Sequence, residues 1–171
     1  ASLIVCATQR EREKISELYN GNNVEVVYWP MTLFNFVDEK ATREIVRRNY
    51  GIKDDERVLL FLGRFHSVKR PLETIKAFLN ASVDNTILFM VGPFESYSAE
   101  YIKEFIRIEG GSEANIRVLG PLYDEEKSNI VLASDGYISL SLKENFGHTV
   151  VESLSVGKPV ILTPGIDLSM E

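Results

Sequence analysis

Residues 57–91 read RVLLFLGRFHSVKRPLETIKAFLNASVDNTILFMV. Two almost wholly apolar runs, RVLLFLG at 57–63 and TILFMV at 86–91, bracket a stretch from Pro71 to Ala81 with helical patterning. A strand that is apolar at nearly every position is buried on both faces, and two such strands joined by a helix form a parallel pair with a crossover. Pro71 suits the first helical position, where its missing N–H would have had no partner anyway.

Working outward, the same alternation recurs. Further strands are expected at 2–7, 24–28, 115–119, 136–141 and 159–163, with helices at about 8–20, 38–50, 98–109, 123–133 and 149–156. Gly157 followed by Lys158 and Pro159 is a helix stop, since Gly takes the left-handed conformation after a last turn and Pro cannot extend it. The fold expected from about residue 52 is α/β, an open, doubly wound parallel sheet of Rossmann type. Residues 26–40 carry Trp29, Pro30, Phe34 and Phe36 without a clear period and read as an extended connection between domains. No internal repeat is found.

Composition narrows the function classes. The 171 residues carry a net charge of −6, which argues against a sequence-independent grip on nucleic acid. The single cysteine, Cys6, excludes an intrachain disulfide framework and, with only His66 and His148 for company, argues against a structural zinc site. No apolar run approaches the roughly 20 residues of a membrane-spanning helix, and SLIVCA is too short and lacks the basic start of a secretory signal. A reducing compartment is expected, and the initial Ala leaves open an excised piece of a longer chain.

Ligands of an open parallel sheet bind at the carboxyl ends of its strands, which selects three places. In GRFHSVKRP, 63–71, Gly63 lets the backbone turn, and Arg64, Lys69 and Arg70 put three cations in one loop, either an anion clamp or merely solvated side chains. In KENFGHTVVESLSVGKPV, 143–160, Gly147 permits close backbone approach, and the N–H groups opening the next helix make an anion site with its dipole. Glu144 and Glu152, eight positions apart, would sit roughly 80° apart on one continuous helix and not meet. With the helix starting near 147–149, Glu144 belongs to the loop and Glu152 to an early turn, and both can face a ligand at the helix start.

Each glutamate has a structural reading beside the functional one. Thr149-Val-Val-Glu152 matches a capping box, in which Glu152 returns to the Thr149 N–H; otherwise Glu152 accepts from ligand hydroxyls, as the acidic residue of a dinucleotide fold does from ribose. Glu144 is either a solvated loop acid beside Lys143 or a partner for sugar hydroxyls. His148 donates to a phosphate or stands by at the helix start. The third place, VLGPLYDEE at 118–126, has Gly120 and Pro121 at a strand end, offering backbone groups to a base, ahead of an acidic first turn that complements the dipole.

Taken together, GRFHSVKR, VLGPL and ENFGHTVVE with trailing SLSVGKPVI resemble the carboxyl-terminal domain of the retaining group-1 glycosyltransferases of the GT-B fold, whose hallmark is Glu-x7-Glu, here Glu144 to Glu152. The resemblance covers roughly residues 52–165. It implies one half of a GT-B two-domain enzyme: residues 1–36 as the end of an amino-terminal domain and the crossover, and 37–171 as a nucleotide-sugar-binding domain cut short at its end. By this resemblance Arg64 and Lys69 bind and stabilise the donor diphosphate, and Glu144 holds hydroxyls of the donor sugar, with Asn145, Phe146 and Gly147 beside it. Glu152 takes the ribose, the turn at His148, Thr149 and Val150 caps the phosphates, and Gly63, Gly120 and Pro121 complete the lining.

The resemblance further implies a hexosyltransferase acting with retention, no metal or cofactor, and a nucleoside-diphosphate sugar donor. The partner would be an acceptor-binding amino-terminal domain lacking here, so that the piece alone is inactive. The location implied is cytoplasmic, free or against the inner face of a membrane. The alternatives are a nucleotide-sugar epimerase of the same fold and a noncatalytic nucleotide-binding module.

Overall fold

The computed structural model of the chain describes residues 3–170 except 22, 32, 33, 35 and 37. It contains two parallel sheets. The first pairs β1 (Ile4–Cys6) with β2 (Val24–Val26), joined by α1 (Gln9–Leu18). Helix α2 (Glu39–Asn49) leads to the second sheet, built from β3 (Arg57–Leu62), β4 (Thr86–Val91), β5 (Ile116–Gly120), β6 (Gly136–Ser139) and β7 (Val160–Leu162). The connecting helices are α3 (Pro71–Ala81), α4 (Ala99–Ile108), α5 (Asp124–Ala133) and α6 (His148–Ser155). The spatial order is β5-β4-β3-β6-β7, all parallel. The doubly wound α/β architecture expected from the sequence is the one observed.

Burial on both faces explains the unbroken apolar strands. Val58, Leu60 and Leu62 of β3, with Ile87, Phe89 and Val91 of β4, pack against Ile130, Val131 and Ala133 of α5 and Val46 of α2. The alternate residues Phe61, Leu88 and Met90 pack on the other face against Ile75 and Phe78 of α3 and Ile102 and Ile106 of α4. A period of two therefore holds within β3 and β4, hidden in the sequence because helices cover both sides.

Several helices begin later than expected because the expected ranges included their caps. Thr8, Asp38 and Ser98 each accept the backbone N–H of the residue three on, from outside α1, α2 and α4. After α6, Gly157 donates to the Leu154 carbonyl and Lys158 to that of Ser153, a Schellman closure. The strand expected over 136–141 ends at Ser139, since the chain leaves the sheet to bind the loop after β3: Leu142 N donates to Val68 O at 2.8 Å and Ser141 Oγ at 3.3 Å. The strand expected over 24–28 ends at Val26. Of the strand expected at 2–7, Ser2 lies outside the described residues, as does Val37 at the expected domain boundary.

One polar knot anchors α2 to the sheet. Arg43 donates to the carbonyls of Leu132, Ala133 and Ser134, which close α5, and meets Asp135 at 2.5 Å, while Arg47 reaches Asp135 at 3.1 Å. Asp135 in turn accepts the Val58 N–H at 2.8 Å. Its burial favours the neutral acid, but the Val58 hydrogen bond and the two guanidinium groups outweigh that and hold the carboxyl below its ordinary value. Among the described residues, no helix is long and apolar enough to cross a membrane.

Candidate functional site at the strand switch point

The chain runs β3, β4, β5 in one direction and then returns to set β6 on the opposite side of β3, so the gap between β3 and β6 is a topological switch point. Clefts at such points, outside the carboxyl strand ends, are where open α/β sheets take ligands. The loop after β3 carries Gly63, Arg64, Lys69 and Arg70; the loop after β6 carries Glu144 to Gly147.

An ion pair between Lys69 Nζ and Glu144 Oε2 joins the two loops. Both side chains are about a quarter exposed, so each charge is partly out of water. Burial, reinforced by the nearby Arg64 charge, draws the Lys69 pKa below that of an ordinary lysine despite the carboxylate it touches. Glu144 is held from both sides by backbone, its N–H donating to Gly165 O and its carbonyl accepting from Asp167 N, each at 2.9 Å.

The other cations point elsewhere. Arg64 Nη1 meets both Glu95 oxygens at 2.9 and 3.0 Å, and Arg70 pairs with Glu73 one turn on, at the start of α3. His66 Nδ1 accepts the Val68 N–H at 3.1 Å and so shapes the short turn at Ser67–Lys69.

Gly63 does not supply a left-handed turn. The positive φ lies on the neighbouring strand at Gly92, φ 146, where a Cβ would fall 2.0 Å from the Gly63 carbonyl oxygen. Adjacent strand ends thus approach so closely that Gly92 admits no side chain. Gly120 ends β5 with its carbonyl accepting from Gly92 N at 2.8 Å, and Pro121 beyond it is exposed.

At the second loop, Gly147 caps α6 with φ 72, and no side chain caps the helix start. Phe146 and Gly147 are buried, while Asn145 and His148 are exposed. Asn145 Nδ2 donates to Glu11 of α1 at 3.2 Å, and the His148 ring stands edge-on to Phe146, centroids 5.2 Å apart.

The capping box expected from Thr149 and Glu152 does not form. The left-handed Gly147 starts the helix two residues before Thr149, so the threonine lies inside the first turn, where its hydroxyl pairs with the Tyr137 phenol at 2.7 Å. Glu152 instead receives the Lys127 ammonium at 2.5 Å on Oε1, and its buried Oε2 has no hydrogen-bond partner among the described residues. Tyr137 also reaches Leu62 O at 3.4 Å, tying the start of α6 to the end of β3, and its burial pushes the phenol pKa up, so it stays a neutral donor.

Glu95, Gly92, Lys127 and Tyr137 were not singled out from the sequence. Gly92 had a signal in VGP at a strand end, parallel to the Leu-Gly that ends β3. The others had none, since their partners lie on elements distant in the chain.

The arrangement joins a cation and a carboxylate across the switch point, beside a helix start that no side chain caps among the described residues. Among the described residues, no three or more His, Cys, Asp or Glu side chains gather as a metal site. The chain is 28% identical over 138 residues to the N-acetyl-alpha-D-glucosaminyl L-malate synthase of Bacillus anthracis, covering 77% of this chain and 35% of that protein. It is 26% identical over 165 residues to the D-inositol 3-phosphate glycosyltransferase of Mycolicibacterium smegmatis, covering 94% and 37%. The fold matches a crystal structure of Anabaena Alr3699/HepE in complex with UDP, with TM-score 0.79, 21% identity, and 99% of this chain against 47% of that one. The chain thus spans just over a third of the length of these curated relatives. The family model described as Glycosyl transferases group 1 matches residues 42–170. The chain belongs to the group 1 glycosyl transferases.

Proposed function

We propose that the chain is the donor-binding half of a glycosyltransferase that moves a sugar from a nucleoside-diphosphate sugar to an acceptor with retention of anomeric configuration. The observation that carries this reading is the Lys69–Glu144 pair across the switch point, a cation for phosphate beside a carboxylate for hydroxyls. The names of the two curated relatives and the UDP in the HepE crystal support it.

In this reading Lys69 and Arg64 take the donor diphosphate, with the N–H groups of His148 and Thr149 completing its cradle; that of Val150, expected to join them, donates to Gly147 O at 2.9 Å instead. Asn145, Phe146 and Gly147 flank the sugar, which Glu144 orients. Gly63, Gly120 and Pro121 bring backbone close to the nucleoside. Glu152, one of whose oxygens has no partner among the described residues, accepts from the ribose hydroxyls once the nucleoside reaches it. As the bond to the sugar breaks, negative charge grows on the departing diphosphate, and fixed cations with an oriented helix start stabilise that charge more than they stabilise the intact donor.

Isothermal titration calorimetry with UDP, GDP and ADP tests the reading. At least one should bind, and Lys69→Ala should weaken it by about 10- to 100-fold, the worth of one charge-assisted hydrogen bond. Binding of none of the three, or binding indifferent to Lys69, would sink it.

A further inference from the structure

Arg64 and Glu95 sit on loops that follow adjacent strands and are stitched together. Phe65 N donates to Pro93 O at 2.9 Å, and Phe65 O accepts from Ser96 N at 3.0 Å and Tyr97 N at 3.2 Å. The fully buried Phe65 ring packs on Phe94 with centroids 4.9 Å apart. The backbones at 64 and 95 are therefore fixed relative to each other, and only the side chains are free to rearrange.

Both Arg64–Glu95 bonds come from one guanidinium nitrogen, not from the two-nitrogen fork that gives Arg its strongest grip on a carboxylate. The side chains are 55% and 45% exposed, and exposed pairs of this kind contribute little to stability. Such a pair is poor glue for the fold, yet it decides where the Arg64 guanidinium rests. Arg64 also lies near enough to Lys69 for its charge to depress that ammonium.

Resting on the nucleotide-sugar reading above, we propose that Glu95 is a positioning residue that holds the Arg64 side chain and competes with the donor diphosphate for its guanidinium. Arg64 then has two partners, Glu95 without donor and phosphate with it, and the carboxylate lowers donor affinity by the small worth of the pair it must surrender.

The test is calorimetry with UDP, GDP and ADP on wild type, Glu95→Gln, Glu95→Asp, Arg64→Ala and the Arg64→Ala/Glu95→Gln double variant. Glu95→Gln should bind the preferred nucleotide about two- to five-fold tighter than wild type. Glu95→Asp, which keeps the charge but shortens the reach, should behave like Glu95→Gln. The gain should vanish in the Arg64→Ala background and shrink at high salt. Arg64→Ala weakening binding while Glu95→Gln leaves it unchanged or weaker overturns this inference and spares the nucleotide reading. A gain that persists without Arg64, or that Glu95→Asp lacks, means long-range repulsion and equally overturns it. No binding by any form overturns the nucleotide reading and this inference with it.

Discussion

Lys69 and Glu144, from loops at the ends of β3 and β6, neutralise each other across the switch point of the sheet. Because burial and the nearby Arg64 charge draw the Lys69 pKa down, its charge is lost at lower pH than that of an ordinary lysine. Under the proposed function, protonated Lys69 holds phosphate and neutral Lys69 does not. Nucleoside diphosphate affinity should therefore fall with rising pH below the range of an ordinary lysine, and Lys69→Met should show weaker binding without that alkaline limb. Calorimetry across pH checks this; an identical pH profile in the variant would mean that Lys69 does not touch the phosphates.

Glu144 makes a separate prediction about the sugar. Glu144→Gln frees Lys69 from its carboxylate, so affinity for the bare diphosphate should hold or rise. The added affinity that the matching nucleotide sugar has over that diphosphate should fall about tenfold or more, since hydroxyls lose a charged acceptor. Paired titrations of the diphosphate and its sugar measure that difference directly.

The fold was legible in the sequence because its strongest signals are local. The apolar runs of β3 and β4, Pro71 at the start of α3 and Gly157 after α6 each act within a few residues. Glu144 and the Gly147 turn were legible for the same reason. The contacts of Thr149 and Glu152 were not: one reading of the local pattern was a capping box, while their partners Tyr137 and Lys127 come from β6 and α5. Arg64 was visible as a cation, but nothing near it in the chain reveals the carboxylate of Glu95.

Glu152 and Lys127 form the least exposed ion pair at this site, with Glu152 about nine-tenths buried. Lys127→Met should cost about 1–3 kcal/mol, because it leaves a second Glu152 oxygen without a partner away from water. Replacing both as Lys127→Met with Glu152→Gln should recover part of that loss. Under the ribose reading, Glu152→Gln alone should weaken the ribonucleotide about tenfold while hardly affecting an analogue lacking both ribose hydroxyls. Chemical denaturation and calorimetry separate the two effects.

Asp135 ties acid stability to the sheet. Its carboxylate accepts from Val58 N and from Arg43 and Arg47, and these partners hold its pKa below the ordinary value in the folded chain. A depressed carboxyl contributes stability that is complete above the unfolded pKa and is lost as pH falls through the folded one. Asp135→Asn should therefore destabilise the protein at neutral pH by about 1–3 kcal/mol, and the gap to wild type should close as pH falls below the ordinary carboxylate range. Urea denaturation of both proteins from neutral to acid pH measures that gap. A constant difference across the range would show that the contacts of Asp135 do not depend on its charge.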